Sequence, residues 1–156
     1  MLICTFVAGD PKAQPRPRMA YGKGGVRVYS NSAGVGRWKS ALERNFRQSA
    51  PVQPYTGPLC LELTFYRLGP MSVLHKKKTV PLDKAVVYDE SVPDVDNLAK
   101  PVMDSLKNAG VIHDDAQVVS LTVRKFKCMH PAYARAGVYV SLCGATGGDT
   151  PMPGML

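Results

Sequence analysis

The sequence predicts one small α+β domain, a β-sheet carrying two principal helices. Three observations predict it. Strand-like stretches occur near both ends of the chain and in its middle. Two stretches, 36–49 and 98–109, repeat apolar residues at helical spacing. A length of 156 residues is enough for one hydrophobic core and too little for two.

Taken in order, Leu2–Ala8 reads as a buried strand. Residues 9–18 (GDPKAQPRPR) hold three prolines, which forbid helix and favour an extended, semi-rigid run. Lys12, Arg16 and Arg18 are thereby presented to solvent. Tyr21–Gly36 is rich in Gly, Ser and Asn and predicts a hairpin turn or flap, with a short strand at Val26–Tyr29. Its GKGG run lacks the spacing of a phosphate-binding loop, so no nucleotide cofactor is expected. Trp38, Ala41, Leu42, Asn45 and Phe46 mark the apolar stripe of the first helix, which Pro51 closes.

Leu59–Leu68 alternates, with Leu59, Leu61, Leu63 and Phe65 on one side and Glu62, Thr64 and Tyr66 on the other, as in a half-buried strand. Residues 69–90 read as a loop or insertion with His75, Lys76, Lys77 and Lys78 at its tip. In the second helix Leu98, Val102, Leu106 and Ala109 share a face, and Gly110 supplies the stop. Pro101 is free of penalty only in a first turn, which predicts a start near Asn97 or Leu98. Val118–Phe126 and Gly137–Cys143 close the sheet as two strands. From Gly144 the composition becomes that of a frayed tail, so the domain is read as 1–143 and a flexible tail as 144–156.

Lys and Arg number 20 against 12 Asp and Glu, a formal charge of +8. Such an excess argues for an acidic partner, most simply nucleic acid. The basic residues of 1–50 and the lysines at 76 and 77 are the expected DNA-tracking groups. No run of 18 apolar residues or secretory pattern occurs, so no membrane is expected. Cys4, Cys60, Cys128 and Cys143 form no metal-binding spacing and read as reduced, mostly core residues of a cytoplasmic protein.

Against this basic background stands an acidic knot. Asp94, Asp96, Asp104, Asp114 and Asp115 fall within 93–127. Neighbouring carboxylates repel unless a proton, a basic residue or a metal neutralises them. Asp94 and Asp96 converge if that tripeptide is extended. For Asp114 or Asp115 to join them, the chain must turn back along the helix. The strand after Asp115 would achieve this by packing beside the one that ends at Asp94. A set of carboxylate oxygens suits Mg²⁺, with Mn²⁺ a substitute. An EF-hand is excluded because Ala99 and Ser105 stand where it requires Gly and Glu. Acids that merely complement a helix N-terminus do not account for the second pair.

The runs Asp94-Val95-Asp96-Asn97-Leu98-Ala99-Lys100, Asp104-Ser105-Leu106, Ala109-Gly110 and Asp114-Asp115-Ala116-Gln117-Val118-Val119 resemble the RusA family of Holliday-junction resolvases. The resemblance is specific over 93–127. It implies a small mixed α/β fold that works as a homodimer, and a metal-dependent endonuclease that resolves four-way junctions and other branched DNA in recombination and repair. It places the catalytic acids on Asp94, Asp96 and Asp115 and the catalytic lysine on Lys100. Asp94, Asp96 and Asp115 are then the metal ligands. Arg16, Arg18, Lys76, Lys77 and Lys100 are the expected DNA contacts. The alternative is a branched-DNA-binding module of the same fold without the chemistry.

Overall fold

The computed structural model describes residues 1–15, 18–29, 34–74 and 80–145, with the backbone alone at 18, 20, 28 and 29. In chain order the strands are β1 (Ile3–Ala8), β2 (Arg18–Gly22), β3 (Gly25–Tyr29), β4 (Leu59–Leu68), β5 (Val86–Tyr88), β6 (Val118–Cys128) and β7 (Gly137–Gly144). The helices are α1 (Val35–Gln48), the one-turn α2 (Met71–Leu74) and α3 (Val95–Asn108). Five strands form a mixed sheet in the order β1-β7-β4-β6-β5, and β2 and β3 form a separate hairpin. β4 and β6 are parallel, joined by the crossover that contains α3, and the other pairs are antiparallel.

The alternation of β4 decides where the core lies. Leu59, Leu61, Leu63 and Phe65 are buried beneath α1 and α3, where they meet Trp38, Leu42 and Phe46 of α1 and Leu98, Val102 and Leu106 of α3. Burying each such side chain contributes about 1.5–3 kcal/mol. Ile3, Val7, Val138, Val140 and Leu142 continue this layer across the outer strands. On the opposite face an aromatic row crosses all five strands: Phe6, Tyr139, Tyr66, Phe126 and Tyr88, each ring in contact with the next. Arg135 lies over three of them.

Several expectations are corrected. The buried first strand is an edge strand whose buried side chains are Ile3 and Val7. Residues 69–90 are more than a loop: they hold α2, a 3-10 turn at Leu82–Lys84 and the edge strand β5. β6 and β7 lie inside the sheet instead of closing it. Only Cys128 of the four cysteines is buried. Gly144 belongs to β7, and residues 146–156, most of the expected tail, lie outside the described residues.

The start of α3 is the most informative correction. The helix begins at Val95, so Pro101 sits in its interior. A proline there leaves the carbonyl four residues earlier without its helical donor. That carbonyl belongs to Asn97, and it accepts instead from the Gln14 N–H at 2.9 Å. The proline-rich segment therefore completes the helix from outside. The other end follows expectation: Gly110 adopts φ 75°. The Gly110 and Val111 N–H groups bond back to the Lys107 and Leu106 carbonyls, each at 3.0 Å, which is the Schellman ending.

Candidate active site

β5 runs antiparallel to β6, and the Asp89 N–H extends the ladder by one bond to the Lys125 carbonyl at 3.0 Å. The chain leaving β5 therefore heads toward the start of β6, where Asp115 lies just upstream. The expected strand ending at Asp94 is absent: the strand paired with β6 is β5, which ends at Tyr88, six residues ahead of Asp94. The Val92–Pro93 peptide between them is cis.

Asp94 occupies the N-cap of α3 in an extended conformation, φ −67° and ψ 154°, and its carbonyl accepts the first helical bond from Leu98. Its carboxylate makes no capping hydrogen bond, so its oxygens are not engaged by the helix amides. Asp96 is in the first turn and exposed. Lys100 follows one turn later, about 6 Å along the axis.

The Lys100 ammonium is the junction of the site. It pairs with Asp104, one turn on, at 3.2 Å and makes a short contact with Asp115. Asp104 in turn accepts from Lys39 of α1 at 3.0 Å. Cation and anion thus alternate along Lys39, Asp104, Lys100 and Asp115. The hydrogen bond to Asp115, then that to Asp104, raises the Lys100 pKa against the opposing effect of burial. Burial would push the Asp104 carboxyl up, but the hydrogen bonds from Lys39 and Lys100 win and hold it low.

The two members of the Asp114-Asp115 pair have different surroundings. Asp114 caps a short 3-10 turn at Asp115–Gln117, accepting from the Ala116 N–H at 3.0 Å. It also pairs with Lys107 at 2.5 Å. That hydrogen bond first, then the Ala116 amide, holds its carboxyl well below the ordinary range. The Gln117 side-chain oxygen Oε1 accepts from the Asp114 and His113 amides at 3.1 and 2.8 Å. Its amide nitrogen donates to the Tyr55 and Gly57 carbonyls, each at 3.0 Å. The turn is thereby fastened to the loop before β4, and Asp115 is turned toward Lys100.

Asp94 and Asp96 open α3, while Asp115 meets that helix through Lys100. Among the described residues no three acidic, histidine or cysteine side chains are gathered into a ready ligand set. Arg16, Lys76 and Lys77 lie outside the described residues, and Arg18 opens β2 with only its backbone described. The sequence reading counts Asp104 in the acidic knot and Gln117 in a matching run but gives neither a role, and it singles out neither Lys39 nor Lys107. The i, i+4 spacing of Lys100 and Asp104 and the S/T/D/N-x-x-E/Q form of Asp114…Gln117 were available signals. Lys39 left none, being 65 residues from its partner.

No helix among the described residues is long and apolar enough to cross a membrane. The family profile described as Endodeoxyribonuclease RusA matches residues 8–141 of the chain. The uncharacterized protein YqaN of Bacillus subtilis (strain 168) is 36% identical over 126 residues, spanning 80% of this chain and 87% of that protein.

Proposed function

The chain belongs to the RusA endodeoxyribonuclease family, and on that premise we propose that it resolves four-way DNA junctions by Mg²⁺-dependent phosphodiester hydrolysis. The observation that carries this reading is the placement of Lys100. Its ammonium holds Asp115 against the helix whose N-cap is Asp94 and whose first turn bears Asp96.

The donor chemistry fits a hard divalent cation. Asp94, Asp96 and Asp115 offer only carboxylate oxygens, the first two are exposed, and none is consumed as a helix cap. These three would hold Mg²⁺ or Mn²⁺. When bound, the metal supplies an activated water and a counter-charge for the phosphate. Lys100 contributes a fixed positive charge beside the scissile phosphate, where negative charge grows in the transition state. Asp104 and Lys39 keep that ammonium from swinging into solvent. The Asp114–Gln117 turn keeps Asp115 facing it.

The basic excess of +8 supplies the attraction to DNA, with Arg16, Arg18, Lys76, Lys77 and Lys100 as the proposed contacts. A homodimer with two such sites would match the two-fold symmetry of a four-way junction and allow paired cuts.

The test is cleavage of a mobile four-way junction, a flap and a linear duplex, with Mg²⁺ and with EDTA. Paired cuts in the junction that require the metal are expected. Asp94→Asn, Asp96→Asn and Asp115→Asn should each abolish cutting while junction binding is kept or tightened, since each removes a charge that repels phosphate. Cleavage in EDTA, or by Asp96→Asn, would overturn the metal mechanism. Junction binding without any cutting would identify a binding module.

A further inference from the structure

Asp89 follows β5 directly, and its side chain is 0% exposed. One carboxylate oxygen accepts from Arg67 at 2.8 Å. The other faces the Lys127 ammonium at 3.0 Å and accepts from the Ser91 amide at 3.1 Å and from the Ser91 hydroxyl. Burial would push this carboxyl up, but the hydrogen bonds from Ser91 and Lys127 and the charge of Arg67 hold it well below the ordinary range.

The cations of this cluster also grip the main chain. Arg67 donates to the Val92 carbonyl at 2.9 Å. Lys125, from the neighbouring position on β6, donates to the Pro93 carbonyl at 2.8 Å and to the Ser91 carbonyl. Lys127 donates to the Ser91 hydroxyl at 3.1 Å. Every carbonyl from Ser91 to Pro93 is therefore held by a charged side chain rooted in β4 or β6. The next residue is Asp94.

A buried ion network is a poor way to gain stability, because desolvation offsets its attraction, while apolar packing of the same volume does as well or better. What it does supply is a fixed geometry with charged donors aimed at particular acceptors. Here the acceptors are the three carbonyls leading into the helix that carries the acids. The side that does the holding is β6, which Asp115 itself leads into. Arg67 and Lys127 converge on Asp89 because two half-buried cations with no anion between them would repel one another.

We propose that Asp89 is a positioning residue: it holds Arg67 and Lys127, which together with Lys125 clamp residues 91–93. The clamp fixes Asp94 relative to β6 and so relative to Asp115. The proposal rests on the reading above, in which Asp94 and Asp115 serve one metal ion. Ligand carboxylates must be held to roughly 0.5 Å to share an ion, and a loop of three residues without the clamp cannot do that.

The experiment compares wild type, Asp89→Asn, Lys125→Met and, as a control with the same charge change at an exposed neighbour, Glu90→Gln. Backbone amide exchange is measured without metal, and junction cleavage is titrated with Mg²⁺. Asp89→Asn should speed exchange across 91–98 on the order of tenfold while β4 and α1 amides keep their protection. It should raise the half-saturating Mg²⁺ concentration about 10–100-fold, with partial rescue of rate at high Mg²⁺ and unchanged junction affinity. Lys125→Met should move both readouts the same way, and Glu90→Gln neither. Unchanged exchange at 91–98 together with a wild-type Mg²⁺ midpoint in Asp89→Asn overturns the proposal. If Asp89→Asn loosens the whole sheet, Lys125→Met decides by the same criteria. If the wild type cleaves nothing with any metal, the catalytic reading fails, while the exchange data still decide whether Asp89 holds this loop.

Discussion

Replacing Lys100 with methionine separates chemistry from architecture at the centre of the site. The lysine is 44% exposed, and its partners Asp104 and Asp115 are 24% and 29% exposed. Pairs this wet contribute about 0–1 kcal/mol each. Asp104 retains Lys39 at 3.0 Å when Lys100 is gone, and the methionine keeps most of the aliphatic stem. A net loss of about 1 kcal/mol lowers the melting temperature by roughly 2–4 °C in a chain of this size. A preorganised charge facing the phosphate is worth far more to the rate. Its removal should slow single-turnover cleavage roughly 10²-fold, about 2.7 kcal/mol at 1.36 kcal/mol per decade. The assay is single-turnover junction cleavage at saturating Mg²⁺, beside a melting curve of the same variant. Saturating metal matters, because a lysine that only steers Asp115 would shift the Mg²⁺ midpoint and leave the plateau rate intact. A plateau rate within about threefold of wild type, well short of the 10² expected, would refute a chemical role.

Gln117→Ala removes the bonds that fasten the Asp114–Gln117 turn to Tyr55 and Gly57. It should destabilise the protein by about 0.5–2 kcal/mol, the scale of a lost cap, measured by urea unfolding. It should also raise the Mg²⁺ concentration needed for half-maximal cleavage, through a less firmly held Asp115, and a variant with unchanged cleavage would show that the turn needs no such anchor. The Asp89 and Asp104 carboxyls are held below their ordinary 3.8, so in acid the folded state binds fewer protons than the unfolded. Their stabilisation is complete above 3.8 and drains as pH falls through the folded values. Lys100, raised above 10.5, contributes fully below that value and is lost only in strong alkali. The urea midpoint should therefore fall in acid less steeply for Asp89→Asn than for wild type, and equal slopes would contradict the assignment. Arg16→Ala with Arg18→Ala should reduce the salt slope of junction binding by about 2 × 0.9, and an unchanged slope would make that segment a bystander.

What the sequence shows well is what local periodicity and spacing encode. The alternation of Leu59–Leu68 survives intact because each buried residue meets the helices directly. The apolar stripes of α1 and α3 are legible for the same reason. β5 is not legible in the sequence, because three residues carry no readable alternation and its pairing comes from β6. Asp89 was invisible because it precedes Glu90, an exposed acid of the same charge. Nothing local distinguishes a carboxylate enclosed by Arg67 and Lys127 from one in water. In the sequence Lys39 is one of many basic residues of 1–50, and only the packing of α1 on α3 sets it on Asp104.

Pro101 shows why local rules fail at such a site. The rule that proline belongs in a first turn assumes that the orphaned carbonyl has no donor but the helix itself. Asn97 has another, the Gln14 amide. That bond places Gln14 of the proline-rich segment beside the first turns of α3. The proline is therefore not a defect that the fold tolerates. By withholding its own N–H, it leaves the Asn97 carbonyl open to one specific external donor, one residue past Asp96. The segment that Gln14 anchors continues within two residues to Arg16, one of the groups proposed to grip DNA. A single missing helical hydrogen bond thus ties the segment leading to a proposed DNA contact to the turn that carries the acids.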